Sequence, residues 1–413
     1  MQNETKTLVL MLLAATVIGL CFRLYGIMEQ PPLSDEAMTV YTAENYVERG
    51  QFRPTMPQHP RLRDVLIHGS TGVLGTGVLG VRGFSLLFGT LSIPLLGLLL
   101  YRLSGRRTAS ILAAVFLAVD PVHIMFSRQS IQEVHTAFFF LLGCTAALGG
   151  WGRAGKPAFW VTLPLSGIFF GLGLASKAHA VIPMAVCGVL LAGQAARRRD
   201  ASLGVLAALS FTVLPLAVYL ATYIPWFSRG YTIPDWIFMQ KALAYAVVTD
   251  LGHDVQSVLD ARAWLWFIKP FMGWGNFTYH LGKPYVSIAM ANPVLWLMVL
   301  PSSLYLLIRP SVPGRTTWLL QALFWSSYLP LVLAQRPITI FSSIAVIPFA
   351  YCLVGLAWDA WSEGGSRKLL YGYVTAACIA TMALFPLSMG KATEYNYPDA
   401  FVERFNPHQQ ERK

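Results

Sequence analysis

Charged residues are scarce in this chain of 413 residues: Asp, Glu, Lys and Arg make up 12%, whereas 55% of the residues are hydrophobic. Soluble domains carry about 25% charged and about 45–50% apolar residues. A charge content this low leaves too little polar surface to cover a soluble protein of this length. The long apolar runs between short charged clusters indicate instead that much of the surface faces lipid.

Metal-binding and disulfide patterns are lacking as well. The five cysteines each lie inside an apolar run and form no Cys-x-x-Cys pair; they are Cys21, Cys144, Cys187, Cys352 and Cys378. This argues against a zinc ribbon or a disulfide framework and predicts small buried apolar side chains. No long-period repeat is visible, so solenoids and inverted-repeat carriers gain no support.

What the chain does contain is eleven apolar segments long enough to span a membrane, since a spanning helix needs roughly 20 residues. They centre near residues 15, 93, 115, 141, 168, 185, 211, 297, 325, 348 and 377. The first lacks a convincing cleavage site and is predicted to be a retained helix. The sequence therefore predicts an all-α polytopic membrane protein of about 11 transmembrane helices, forming a single domain over residues 1–413.

Basic residues in the short loops predict the orientation of these helices. The net charge is +11, but the Lys and Arg residues fall in clusters between apolar runs. Orientation in the membrane therefore explains these residues better than binding to nucleic acid does. Alternating helices place these clusters on one side, around residues 102–107, 153–156, 197–199, 309–315 and 367–368. That side is predicted to be the cytoplasm. The N-terminus is then cytoplasmic, and the tail at 389–413 is periplasmic or extracellular, with the protein in the inner (plasma) membrane.

Two predicted external loops, residues 26–80 and 224–287, are too long to be simple connections. The stretch PDWIFMQKALAYAVVTDL at residues 234–251 has the apolar spacing of a helix lying on the membrane interface. Trp236 and Tyr245 suit headgroup depth in such a helix. An ordinary amphipathic connector is the alternative interpretation of the same pattern.

Ionisable residues from several chain segments converge on the predicted external face. They are Asp35, Glu36 and His59 in the first loop, Arg128 and Glu133 in the next turn, then Lys177 and Arg336. Together they describe a cleft that binds an anionic headgroup with its cations and deprotonates a hydroxyl with a carboxylate.

Each of these residues also has a structural interpretation. An acidic pair after a first helix is often a solvated loop, and Arg128 with Glu133 could be a structural ion pair. Lys177 and Arg336 could reach towards headgroups without binding phosphate. His123 and His135 are predicted to lie in loops or at helix ends without a partner.

Short motifs in a fixed order give these residues a context. They are SDEAMTVYTAENYVERGQF at 34–52, QHPRLRDVLI at 58–67, the Arg82-led helix VRGFSLLFGTLSIPLLGLLLYRLSG at 81–105, MFSRQSIQEVHTAFFF at 125–140, GLGLASKAHA at 171–180, ANPVLWL at 291–297 and QRPITIFSSIAVIPF at 335–349. With these motifs the chain resembles the GT-C membrane glycosyltransferases of the protein O-mannosyltransferase and aminoarabinose transferase group. The resemblance is spread over nearly the whole chain.

The resemblance implies a GT-C-like fold and a donor of undecaprenyl or dolichyl phosphate carrying one sugar. The acceptor is a hydroxyl of a protein, lipid or glycan on the external face, and transfer inverts the anomeric carbon. Asp35 would be the general base, with Glu36 orienting it. Arg128, Lys177 and Arg336 would bind the donor phosphate, supported by His59, Glu133 and Arg82. No cofactor is required, although a divalent cation at Glu36 and His59 is compatible with the family.

Departures from the family motifs keep a second hypothesis open. Arg61 and the pair Arg63–Asp64 replace the usual Pro and Lys after His59 and Pro60. Ser342 and Ser343 stand where relatives often carry Tyr or His. A non-catalytic subunit of a larger membrane complex is therefore the alternative. A transporter would need charges along a mid-membrane path, and the apolar segments are nearly free of charge.

Overall fold

A computed structural model describes residues 2–30, 36, 39–49, 60–148, 157–249, 262–270, 273–280, 283–310, 312, 314–334, 338, 340–365 and 367–389. This part of the chain is mostly helical. The helices before residue 200 are α1 (Gln2–Leu24), α2 (Thr39–Arg49), α3 (Leu62–Leu74), α4 (Val78–Ser104), α5 (Arg107–Val119), α6 (Pro121–Ser127), α7 (Gln132–Leu148), α8 (Pro157–Ser176) and α9 (Val181–Arg198).

The second half adds nine helices and one hairpin among the described residues. The helices are α10 (Ala201–Ala208), α11 (Leu214–Ala221), α12 (Ile224–Phe227), α13 (Ile233–Thr249), α14 (Pro293–Trp296), α15 (Val299–Ile308), α16 (Gly314–Val332), α17 (Ile347–Gly364) and α18 (Arg367–Ser388). The strands are β1 (Gly273–His280) and β2 (Lys283–Met290). Short 3₁₀ turns cover Ala178–Ala180, Ala263–Leu265 and Ile340–Ala345, and a π turn covers Leu209–Val213.

Six helical runs in the described part are long and apolar enough to cross a membrane. They are Glu4–Leu24, Val78–Ser104, Phe159–Ser176, Ala178–Arg198, Ala201–Ala221 and Arg367–Ser388, and the bent pair α5–α6 makes a seventh if it is one span. A helical polytopic membrane fold is thus confirmed. The count of eleven spans stays a prediction, although every predicted centre falls in or beside a helical segment.

The bend between α5 and α6 has a local cause in the sequence Asp120–Pro121. The two helices meet at 60°. A residue before proline avoids the helical conformation, and proline is well suited to the first position of a new helix. Asp120 caps α6, because its carboxylate accepts a hydrogen bond of 2.7 Å from the His123 backbone N–H. Asp120 and Pro121 therefore split one apolar run into the two helices α5 and α6.

The chain divides into two compact units. The first comprises Met1–Leu33, Gly89–Gln129 and Gly252–Lys413. Its helices approach closely at glycines, which bring backbones into contact in membrane proteins. A Cβ atom added at Gly355 of α17 would lie 2.6 Å from the Ala109 carbonyl oxygen of α5, so these two helices pack backbone to backbone.

The second unit comprises Ser34–Phe88 and Ser130–Leu251. Here α8 packs against the run that includes the π turn, since a Cβ atom at Gly167 would lie 2.2 Å from the Ser210 carbonyl oxygen. Asp200 caps α10, and hydrogen bonds from the Leu203 N–H and the Ser202 hydroxyl lower the pKa of the Asp200 carboxyl. The cap marks a sharp turn between α9 and α10.

The described residues are mostly helical, as predicted, with one β-hairpin that begins in the second long loop. β1 and β2 pair antiparallel, with Gly273 opposite Met290 and His280 opposite Lys283. Aromatic and β-branched residues such as Phe277, Tyr279 and Val286 favour strands. The stretch also contains glycine and proline, and the long apolar runs that predict spanning helices do not indicate strands.

The segment predicted to be an interfacial helix is helical, as α13, and its place at the membrane interface stays a prediction. Tyr245 and Phe238 are 71% and 75% exposed on it, which suits a surface facing headgroups. Trp236 instead packs against the rings of Tyr219 and Tyr223 at 6.2 and 6.1 Å. Tyr245 therefore points away from the protein, whereas Trp236 packs α13 against the rest of the second unit.

Candidate functional site

The candidate site in the second unit is built around the N-terminus of α7, residues 130–133. Three polar residues there, Ser130, Gln132 and Glu133, each contact a different segment of the same unit. The first free N–H groups of a helix attract negative charge. Charged side chains that are distant in sequence therefore meet at this helix end, which we call the α7 N-terminus.

Glu36 is held at the α7 N-terminus by two donors. The Arg82 guanidinium donates to both carboxylate oxygens, from Nε to Oε1 at 3.0 Å and from Nη2 to Oε2 at 2.8 Å. The Ser130 backbone N–H donates to Oε1 at 2.7 Å. Glu36 and Arg82 are buried. A bidentate buried pair of this kind is among the stronger polar contacts in proteins and fixes the orientation of both side chains.

Lys177 and Glu133 form a second ion pair at the same helix end. Glu133 lies in the first turn of α7, where a carboxylate is favoured by the helix dipole. Lys177 follows α8 in extended conformation, and its side chain is 13% exposed while that of Glu133 is 6% exposed. The ammonium group thus reaches the edge of the cluster.

Arg63 and Arg61 bring α3 to the cluster. Arg63 donates from Nη1 to the Gln132 side-chain oxygen at 3.0 Å. Arg61 donates from Nη1 to Asp64 Oδ2 at 3.1 Å, and its guanidinium carbon lies 5.5 Å from the centre of the Tyr46 ring. The segment that departs from the family pattern is therefore well packed in this unit.

Arg128 has a different environment, inside the first unit. Its fully buried guanidinium donates to the carbonyl oxygens of Phe22, Arg23 and Tyr25 at 3.1, 3.1 and 2.5 Å, and to Gln30 Oε1 at 3.2 Å. These carbonyls belong to the last turn of α1 and the residue that follows it, which have no partner within the helix. Arg128 therefore caps α1 from another segment.

A buried polar network lies beside this cap, also in the first unit. Arg23 donates from Nη2 to His123 Nδ1 at 2.6 Å. The Asp120 carboxylate accepts from Trp296 Nε1 at 2.9 Å and from the Tyr351 hydroxyl at 2.5 Å. The network joins α1, the α5–α6 bend, α14 and α17, and it stabilises the bend.

The predictions for individual residues separate into three groups. Glu36, Arg82, Glu133 and Lys177 meet at the α7 N-terminus. Arg128 caps α1. Asp35, His59 and Arg336 lie outside the described residues, as does the tail from residue 390. The roles assigned to all of these residues stay predictions.

Several polar residues found here were missed or misjudged. His123 and His135 were predicted to have no partner, which is wrong: His123 accepts from Arg23, and His135 Nε2 lies 2.9 Å from the Ser85 hydroxyl. Gln132 was not predicted as a site residue; its only signal in the sequence was its place within the motif at 125–140, next to Glu133.

The described residues do not fit a divalent cation. They contain no group of three His, Cys, Asp or Glu side chains that could hold one. Glu36 already faces the Arg82 guanidinium, and two cations in contact with one buried carboxylate repel each other. His59, the other ligand that the resemblance implies, lies outside these residues.

Comparison with protein families identifies this region. The family described as dolichyl-phosphate-mannose-protein mannosyltransferase matches residues 13–229, which are 217 of the 413 residues. The matched range includes every contact described at the α7 N-terminus. The polyprenol-phosphate-mannose–protein mannosyltransferase of Mycobacterium tuberculosis is 25% identical over 378 residues, covering 80% of this chain and 68% of that protein.

Solved structures share the fold. The S. cerevisiae protein O-mannosyltransferase Pmt1-Pmt2 complex bound to the sugar donor gives a TM-score of 0.79 at 11% identity, covering 98% of this chain and 95% of that chain. ArnT from Cupriavidus metallidurans bound to undecaprenyl phosphate gives 0.62 at 15% identity, covering 94% and 76%. The predicted GT-C-like fold is confirmed by these similarities.

Proposed function

Because the chain belongs to the dolichyl-phosphate-mannose-protein mannosyltransferase family, we propose that it transfers mannose from a polyprenyl-phosphate carrier to a hydroxyl of an acceptor protein. The acceptor is placed on the external face of the membrane, where the predicted loops lie. The observation that carries the proposal is the convergence of Glu36, Arg82, Glu133 and Lys177 on the α7 N-terminus. This cluster has the mixed charge that a phosphate-leaving reaction needs.

The proposed reaction is a direct displacement at the anomeric carbon. The bond from that carbon to the phosphate oxygen breaks, and a bond to the acceptor oxygen forms. Asp35 takes the hydroxyl proton as general base. The carrier leaves as polyprenyl phosphate, whose charge is stabilised by Lys177 and Arg336. A single displacement inverts the anomeric carbon, so a β-linked donor gives an α-linked product.

Glu36 serves this scheme as a positioning residue. Both of its oxygens accept hydrogen bonds from Arg82 or Ser130, so the carboxylate is oriented by fixed donors. Asp35 precedes Glu36 in the chain. Because the Glu36 side chain is held in place, the positions that the Asp35 carboxylate can reach are restricted. Active-site groups need such support to hold a reactive geometry.

Arg128 takes a role other than the predicted binding of phosphate. Its donors are directed at the end of α1 and at Gln30, and the side chain is fully buried. We propose that it positions the start of the first long loop. A guanidinium group whose donors are already bound to several acceptors is poorly placed to bind a lipid phosphate as well.

Transfer in proteoliposomes tests the proposed function directly. The purified chain is reconstituted with radiolabelled polyprenyl-phosphate mannose and an acceptor protein from the same source. We expect carrier-dependent labelling of the acceptor and release of polyprenyl phosphate. Binding of the carrier without any transfer would favour the non-catalytic subunit. Absence of both carrier binding and transfer would contradict the proposed function.

Cysteine labelling tests the proposed orientation. In a background without the native cysteines, Ser202→Cys lies in the predicted cytoplasmic turn after α9, and Ser228→Cys lies in the second predicted external loop. Both serines are exposed, and the replacement is nearly isosteric. A membrane-impermeant maleimide should label position 228 in intact cells and position 202 only after lysis. The reverse pattern would overturn the topology.

A further inference from the structure

The charges around the α7 N-terminus do not balance among the described residues of the second unit. Three cations each have a carboxylate within hydrogen-bond distance; the pairs are Arg82–Glu36, Lys177–Glu133 and Arg61–Asp64. Arg63 is the fourth cation of the cluster. No fourth carboxylate in this part of the structure contacts it, so the cluster carries one excess positive charge.

The contacts of Arg63 leave its charge largely uncompensated. Its hydrogen bond of 3.0 Å goes to the neutral amide oxygen of Gln132. The nearest carboxylate oxygen, Asp64 Oδ1, lies 3.9 Å from Nε, which is too long for a hydrogen bond. The other oxygen of Asp64 is bound to Arg61 at 3.1 Å. One negative charge is therefore shared between two guanidinium groups.

A mostly buried cation is costly unless an anion pairs with it closely, and among the described residues Arg63 has the shared Asp64 carboxylate at 3.9 Å. The side chain of Arg63 is 12% exposed, whereas those of Arg61 and Arg82 are 4% and 3% exposed. Arg63 can thus be reached from outside the cluster, and it adjoins a helix end that favours negative charge. Lys177 is similarly accessible but is neutralised by Glu133.

We propose that Arg63 binds the phosphate of the carrier-linked donor. The proposal rests on the function proposed above and adds a binding residue to it. The planar guanidinium provides two parallel donors that match a phosphate, and the Gln132 amide orients the group without neutralising it. Arg63 can therefore bind phosphate without first breaking a hydrogen bond to a carboxylate.

This role accounts for the departure of the sequence at Arg63 and Asp64. Asp64 stands where the family pattern implied by the resemblance has a lysine, and its carboxylate binds Arg61. The positive charge has moved one position along α3, to a residue that faces Gln132 instead. The replacement therefore keeps a cation in the segment and changes which residue carries it.

Carrier binding by the full-length protein in detergent tests the proposal. Undecaprenyl phosphate is titrated and bound lipid is counted by native mass spectrometry. Arg63→Gln should raise the dissociation constant at least about tenfold, because it removes a charge-assisted contact to phosphate. Arg63→Lys should lie between wild type and Arg63→Gln, since it keeps the charge but not the fork. Arg229→Gln, an exposed arginine of the same unit, should change binding less than about twofold.

Chemical protection provides a readout that does not depend on a variant folding. An arginine-specific dicarbonyl reagent should modify Arg63 in the wild type, and undecaprenyl phosphate should suppress that modification. Inorganic phosphate at the same concentration should protect far less; equal protection would mean a free-phosphate site and overturn the proposal. Equal binding by wild type and Arg63→Gln, or no protection at Arg63 while the carrier binds, overturns this inference alone. No carrier binding to the wild type overturns the proposed function as well.

Discussion

Asp35→Asn is expected to leave binding of polyprenyl-phosphate mannose unchanged and to lower the transfer rate by about 10²–10⁴-fold, the usual contribution of a positioned general base. Asparagine keeps the size and most hydrogen bonds of aspartate but cannot accept the hydroxyl proton. Asp35 lies outside the described residues, so its role rests on its place beside Glu36 and on the family motif. Single-turnover transfer in proteoliposomes, with donor binding measured in parallel, separates the two effects.

The matched control for this experiment is Asp200→Asn. Asp200 is the capping residue at the start of α10, and asparagine caps helices as well as aspartate does. This control should transfer at the wild-type rate. Wild-type transfer by Asp35→Asn as well would assign the base to another residue, whereas loss of donor binding would point to a structural role for Asp35.

Arg82→Met is expected to lower the free energy of unfolding by about 3–5 kcal/mol, the typical loss when one partner of a buried ion pair is removed. The Glu36 carboxylate would remain buried with the Ser130 N–H but without the guanidinium that neutralises it. Unfolding with a denaturing detergent, followed by tryptophan fluorescence, measures the change. Transfer should fall with it, because Glu36 loses its fixed orientation.

Two variants show whether the unpaired charge is the cause. Arg102→Met removes an exposed arginine from the last turn of the same helix and should shift stability little. The double variant Arg82→Met with Glu36→Gln removes both charges and should recover most of the lost stability. An Arg82→Met protein as stable as wild type would mean that the pair contributes no net stability.

The lengths of the apolar runs made much of the fold predictable. Apolar runs located α1, α4, α8, α9 and α18, since a membrane span requires a long run of apolar residues. The same measure missed the break at Asp120, because two residues hardly change the average over a span. It also missed the β1–β2 hairpin, whose pairing depends on contacts between strands that a helical period does not describe.

Sequence order grouped Glu36, Glu133 and Lys177 on one predicted side of the membrane but did not identify the partner of any of them. The spacing of Arg128 and Glu133 suggested an ion pair between them. Instead Glu133 pairs with Lys177, and Arg128 caps α1. These partners lie 44 and 105 positions away, and only the packing of helices decides between them. Sequence order indicates which residues share a side of the membrane, but not which of them touch.

The cap on α1 also implies an order of events during synthesis. The carbonyl of Phe22 and the guanidinium of Arg23 find partners 106 and 100 positions later, at Arg128 and His123. A growing chain presents α1 to the membrane long before those partners emerge, so the end of α1 must stay at the hydrated surface in the meantime. The first long loop therefore becomes anchored only once α6 has been inserted. Ribosome-bound chains that stop short of residue 128 should keep that end of α1 open to water.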